Sequence, residues 1–301
     1  MAKLILWDEA SMAKKDTIEV FDRLLRNVMD SDLPFGGKNA TKDQQIEASF
    51  VNSPLWSTLW KLILTKNMRA ISDSHFSDFL LRIGEGREPE DEDGKISLSK
   101  DISIPFDNKV DSVSGFCIFG FERVSSDPYQ ITNRCILTPK NTCVDDINEI
   151  MIDRFPGQLF VYMSTDQTIN ERDQFDYEDF LNSLNPKGLP PHKLVLKEGC
   201  PIILLRNLNP AEGLCNGMRL ICRQLKQHAI CTEIAVGQHQ GKRVLLPRIP
   251  FQTSDNEKNG VPFKRTQFPI RLCFAMMINK SQGQTLDRVG VYLREPVFSH
   301  G

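Results

Sequence analysis

Residues 278–287 read INKSQGQTLD and follow the mostly apolar run RLCFAMMI at 271–278. The run predicts a buried strand, and the polar residues behind it predict a turn that opens a helix. At such a turn the free backbone N–H groups point outward and attract phosphate. Lys280 adds a mobile positive charge, and Ser281 and Thr285 add hydroxyl donors, a set suited to a nucleic-acid backbone. A strand, a polar cap and a helix with no ligand account for the same letters. Local chemistry leaves the two open.

The other end of the chain repeats the pattern. Residues 4–12 read LILWDEASM, where Leu4, Ile5, Leu6 and Trp7 predict a short strand buried on both faces of a parallel sheet. The strand ends in Asp8 and Glu9, at the tip where open α/β sheets bind ligands. One carboxylate there can hold Mg²⁺ through its water shell, and the next can orient or deprotonate an attacking water. The plainer alternative is that both acids complement the N-terminus of a following helix.

Counting LILWDEASM, six pieces run in order: it is followed by FDRLLRNVMD from 21, FGGK from 35, LTKNMR from 64, LPPHKLVLKEGCPIILLRNLNPAEGLCNGMRL from 189, and FAMMINKSQGQTLD from 274 with VYL from 291 behind it. On these pieces the chain resembles the petite-integration-frequency (Pif) helicases of superfamily one, in particular the copies carried by plant Helitron-type transposons. The resemblance implies an α/β protein with two RecA-like domains of the P-loop NTPase type and a small SH3-like β-barrel inserted in the second. It implies an ATP-dependent DNA helicase that couples hydrolysis to unwinding, as in DNA repair, recombination and telomere maintenance. ATP and Mg²⁺ are the expected cofactors, and single-stranded DNA and DNA junctions the expected partners of a monomer located in the nucleus or mitochondrion.

Carried over on that resemblance, Asp8 is the magnesium acid and Glu9 the general base of the Walker B segment. Arg69 is the arginine that reaches the γ-phosphate and stabilises charge developing in phosphoryl transfer. Lys280, Ser281, Gln282 and Gly283 form the second-domain motif linking the DNA track to the nucleotide. Gln282 and Gly283 face the nucleotide, and Lys280, Ser281 and Thr285 face DNA.

The chain also departs from the family. It contains no Gly-x-x-x-x-Gly-Lys-Ser/Thr loop, which in the family lies upstream of the Walker B strand. After FGGK the family continues to a strand ending in Gly-Asp-x-x-Gln, whereas here NATKDQQIEASF leads to Trp56. The family's last Ser-Arg pair is missing, and Met277 stands where a threonine is usual. These departures predict a helicase fragment without helicase-like ATP turnover of its own, and a first sheet left short and loosely held. The alternatives are a non-hydrolysing, single-stranded-DNA-binding remnant of a transposon helicase, or an inactive relic.

At 301 residues the chain is long enough for two cores, and its 25% charged and 40% hydrophobic residues are ordinary for a globular protein. A net charge of −2 carries no electrostatic footprint for nucleic acid, though a motor that grips DNA in a local groove need not be basic overall. No apolar run approaches the ~20 residues of a membrane span. The eight cysteines form no Cys-x-x-Cys pair; Cys222, His228, Cys231 and His239 hint at metal spacing, but both cysteines fit strand interiors equally well. Reduced, buried thiols are the expectation.

Periodicity places the remaining elements. A first, incomplete RecA-like domain is expected over 1–105, with amphipathic helices at 19–29 and 76–83 and an acidic, solvated loop at 84–94. A linker at 106–133 leads to the second RecA-like domain, expected over 134–192 and 269–301, where CIL at 135–137 is a strand and TPKN at 138–141 turns into a helix at 143–155. Residues 158–164 alternate like a strand, and 166–193 are polar and helical at best. The inserted barrel is expected over 193–268, with strands at 201–205, 218–224, 230–236 and 243–249. Arg206, Arg219, Arg223 and Lys226 either line a DNA path there or keep sheet edges solvated.

Overall fold

The computed structural model describes residues 68, 71–103, 128–169, 174–186, 188–253 and 262–294. Asp8, Glu9, Arg69, the helix expected at 19–29 and the short first sheet all lie outside the described residues. The chain divides into two compact units, Met1–Glu88 and Pro89–Gly301.

In the first unit, helix α1 (Ser74–Gly84) covers the helix predicted at 76–83. Asp73 caps it by accepting a hydrogen bond from Phe76 N at 2.9 Å, satisfying one of the free amides of the first turn. Arg82 in its last turn pairs with Glu88 at 2.7 Å.

The first helices and strand of the second unit, among the described residues, are helix α2 (Pro128–Thr132), strand β1 (Arg134–Thr138) and helix α3 (Asn141–Arg154). β1 is the middle strand of a three-stranded parallel sheet, flanked by β12 (Ala275–Met277) and β13 (Arg288–Val291). A middle strand covered on both faces should be apolar without alternation. Cys135, Ile136, Leu137 and Thr138 are accordingly all buried. Successive side chains still point to opposite faces. Ile136 joins the core formed with Ile147, Met151 and Phe155, while Cys135 and Leu137 join a second cluster with Ile203, Leu205, Cys273 and Met276.

Between α3 and β12 the chain makes a β-rich excursion. Its strands are β2 (Leu159–Met163), β3 (Thr165–Thr168), β4 (Lys193–Lys197), β5 (Pro201–Leu204), β6 (Arg219–Leu225), β7 (Ala229–Ile234), β8 (Arg243–Pro247), β9 (Ile249–Gln252), β10 (Phe263–Gln267) and β11 (Ile270–Leu272). They form an antiparallel sheet in the order β11-β5-β6-β7-β8, a second in the order β3-β10-β9, and the pair β2-β4. The strands expected near 201–205, 218–224, 230–236 and 243–249 are all present, with bounds shifted by up to two residues.

Two features differ from expectation. The polar stretch after 165 contains a strand, TDQT at β3, besides helix α4 (Gln174–Ser183). Its buried Asp166 is held by a fully buried Arg265, whose Nε and Nη2 donate at 2.9 and 2.6 Å. Arg265 also donates to the carbonyls of Leu181, Leu184 and Pro190, so one guanidinium ties β3, α4 and the segment after it to β10.

The run 271–278 is two strands rather than one. β11 pairs antiparallel with β5, and β12 pairs parallel with β1. The break at Cys273–Phe274 has a cause on α3. The buried Asn148 carboxamide accepts from Phe274 N and Ala275 N, both at 3.0 Å, and donates to Leu272 O at 3.4 Å. Cys273 N is bound to Pro201 O at 3.0 Å and Phe274 O to Ile136 N at 3.0 Å, so the bend leaves these backbone groups paired.

Among the described residues no helix is long and apolar enough to cross a membrane.

Candidate nucleic-acid interface

Thr138 and Met277 are register partners at the carboxyl ends of β1 and β12. The turn after each strand therefore starts beside the other, on the sheet edge where open α/β folds take ligands. The turn after β12 is the INKS segment. It forms helix α5 (Ile278–Ser281), a single turn with Met277 at its N-cap and no side-chain cap. The helix is shorter than the sequence suggests, so the supply of oriented N–H groups is small.

Lys280 is exposed and makes no ion pair with a described residue. Burial of its surroundings and the nearby Arg271 guanidinium lower its pKa, while Asp145 opposes the shift. Ser281 is half-buried and its hydroxyl donates to Ile278 O at 2.7 Å, which leaves its oxygen lone pairs but not its proton for a ligand. Gln282 and Gly283 are exposed, and Gly283 has φ +76°, a left-handed conformation that favours glycine. Thr285 is exposed, four residues beyond Ser281.

Arg271 stands behind Lys280. Its Nη2 donates to Asn185 Oδ1, Asn185 Nδ2 donates to Asp145 Oδ2 at 3.0 Å, and Arg271 Nη1 lies 3.6 Å from Asp145 Oδ1. Burial raises the Asp145 pKa, with Arg271 opposing, and burial lowers that of Arg271. The group sits at a cavity of about 340 Å³ with Val144, Leu159 and Val161 on its apolar side and Lys280 on its polar side. Lys280, Ser281, Gln282 and Gly283 are thus together on one turn, with Thr285 after it.

The basic residues suggested for the β-rich segment behave differently. Arg219 is 2% exposed and committed to backbone carbonyls, which removes it from any DNA path. Arg223 forms a two-pronged pair with Glu233 at 3.0 and 2.9 Å and lies over the Tyr129 ring. Arg206 stacks 4.9 Å above the Phe251 ring, and Lys226 is exposed. Sequence reading missed Asn148 and the inward aim of Arg219. The available signals were a lone carboxamide on the apolar face of α3 and an arginine opening the apolar strand RLIC.

Among the described residues no group of three or more His, Cys, Asp or Glu side chains could hold a metal ion. Cys222 and Cys231 lie in strands β6 and β7. The Mg²⁺ assignment rests on Asp8 alone.

Residues 1–94 match the model of the PIF1-like helicases, and residues 179–225 match the 2B domain of the DNA helicase Pif1. Relatives include the ATP-dependent DNA helicase PIF1 of Danio rerio, 26% identical over 99% of this chain and 43% of its own length. The Homo sapiens PIF1 is 24% identical over 98% of this chain and 42% of its own. The Bdellovibrio bacteriovorus Pif1 is 22% identical over 94% and 58%. The chain therefore spans about half the length of the curated relatives it matches. Bacteroides Pif1 bound to ssDNA shares the fold with a TM-score of 0.61 at 18% identity, covering 95% of this chain and 63% of that one. Bacteroides Pif1 in complex with ADP-AlF3 and ssDNA gives 0.59 at 22% identity, covering 96% and 64%. With a helicase segment followed by a 2B segment on a matching α/β fold, the chain is a distant homologue of the Pif1-like DNA helicases.

Proposed function

We propose that the chain serves ATP-dependent DNA unwinding, as a helicase fragment that grips single-stranded DNA at the Lys280–Ser281 turn. The observation that carries this is the pairing of Thr138 with Met277 at one sheet edge, with exposed Lys280 just beyond it. Phosphate contacts from an ammonium and from hydroxyls that donate hold a strand in place without reading its sequence, and Ser281 joins them by turning its proton from Ile278 O to the phosphate. In this reading Lys280, Ser281 and Thr285 meet DNA phosphates, and Gln282 and Gly283 face the nucleotide. Asp8 would hold Mg²⁺, Glu9 would orient the attacking water and Arg69 would stabilise charge developing in phosphoryl transfer, the chemistry that Mg²⁺-bound ATP would supply. The partners are single-stranded DNA and junctions, consistent with relatives whose structures hold ssDNA or forked dsDNA. A plant Helitron origin, a nuclear or mitochondrial location and roles in repair and recombination belong to the same reading.

A second reading, DNA binding without hydrolysis, is favoured by one fact. The 301 residues contain no Gly-x-x-x-x-Gly-Lys-Ser/Thr, the loop that positions a triphosphate in line for attack. ATP turnover by the 301-residue chain, with and without oligonucleotide, separates the two. The missing loop predicts no such turnover from the 301 residues alone; DNA-stimulated turnover above about 1 s⁻¹ that disappears in Glu9→Gln overturns that expectation and establishes the helicase reading. Oligonucleotide binding without such turnover establishes the second, and absence of both overturns both.

A further inference from the structure

Arg219 opens β6, yet its guanidinium leaves that sheet. Nη1 donates to Thr132 O, and Nη2 donates to Thr285 O at 2.6 Å. Two residues earlier, Gly217 O accepts from Gln284 Nε2 at 3.2 Å. Leu286 packs on the cluster of Cys135, Leu137, Cys273 and Met276, and Asp287 N donates to Asn133 O at 2.7 Å. Each residue from Gln284 to Asp287 thus has its own tether, and two of the four come from the Gly217–Arg219 end of the β-rich segment. Burial lowers the Arg219 pKa, with nearby Cys273, Cys135 and Asp287 opposing. An apolar side chain would fill the space without the cost of burying a charge. What the guanidinium alone does is bridge two carbonyls on different segments.

We propose that Arg219 is a positioning residue. Together with the Gln284–Gly217 bond it fixes the loop Gln284–Asp287, so that the preceding Lys280–Gly283 turn is held in the one conformation that grips DNA. The grip at Lys280 then depends on the β-rich segment without any contact between that segment and the strand. This rests on the proposal that the turn binds single-stranded DNA.

The test uses the full chain and a labelled oligothymidylate, with Arg219→Met and Gln284→Ala, each alone and combined with Lys280→Ala. Each variant should weaken binding by roughly threefold or more, and the further loss on Lys280→Ala should shrink, because coupled positions are non-additive. Hydrogen exchange should show lost protection at the Gln284 and Asp287 amides, bound to Ser281 O and Asn133 O, with Ile136 unchanged. Wild-type affinity in both variants, or a Lys280→Ala loss that adds in full, overturns the proposal. Should Arg219→Met fail to fold, Gln284→Ala decides, since Gln284 is a half-buried surface residue. Should the wild-type chain not bind oligothymidylate, the DNA reading falls. Positioning is then judged by hydrogen exchange alone, and unchanged protection in Gln284→Ala overturns it.

Discussion

Asn148 and Ala275 exchange two hydrogen bonds between a side chain and a backbone. Asn148 Oδ1 accepts from Ala275 N at 3.0 Å, and Nδ2 donates to Ala275 O at 3.3 Å. The carboxamide stands in for a strand neighbour at the point where the chain passes from one sheet to another. Asn148→Ala strands the Phe274 and Ala275 amides at a cost of about 1–3 kcal/mol each. Urea unfolding should show the loss as a lower midpoint with an unchanged slope.

Arg265 and Asp166 are both fully buried, so removing either partner leaves an uncompensated charge. Arg265→Met should destabilise by about 3–5 kcal/mol, whereas replacing both residues by apolar ones should cost far less. A double replacement that loses the sum of the two single losses would show that the pair contributes nothing as a pair.

His192 leans on the same network, its Nδ1 2.8 Å from Ser164 Oγ and 3.7 Å from Asp166 Oδ2. Burial lowers its pKa below 6.5, with Asp166 opposing and Arg265 reinforcing. Between the folded and unfolded pKa values the unfolded chain binds more protons, so stability rises with pH there. The contribution is fully present above about 6.5 and is lost as pH falls below it. Urea midpoints from pH 7.5 down to 5.5 should fall less steeply in His192→Asn than in the wild type.

Lys280→Ala should weaken binding to every single-stranded oligonucleotide alike and reduce the salt slope by about 0.7, one phosphate contact. Anisotropy titrations at several salt concentrations read both quantities. Identical slope and affinity would reduce the turn to a helix cap.

Local pattern carried the sequence reading furthest where one face or one run decides the element. The apolar RCILT strand, the α3 helix and the strands from Pro201 to Pro247 were all legible this way. Long-range pairings were not. The polar TDQT reads as helical at best until Arg265, 99 residues from Asp166, supplies its counter-charge. The run at 271–278 reads as one strand until Asn148, more than a hundred residues upstream, divides it. At the site, Lys280, Ser281, Gln282 and Gly283 were legible as one turn because they are contiguous. The inward aim of Arg219 was not, because a strand arginine shows its charge in the sequence but not its direction.

The parallel sheet closes late. Ile136 pairs with Ala275 across roughly 140 residues of chain, and the β-rich excursion fills that gap. Closing so long a loop loses entropy before any contact compensates it, unless the intervening chain has already condensed. The antiparallel strands β5-β6-β7-β8 are neighbours in sequence as well as in the sheet, far closer along the chain than β1 and β12, and should form first, drawing β11 onto β5. Only then does the bend at Cys273–Phe274 bring β12 within reach of β1. During synthesis β1 should therefore lack its partners β12 and β13 until they have emerged, with α3 the cover for Ile136 in the meantime.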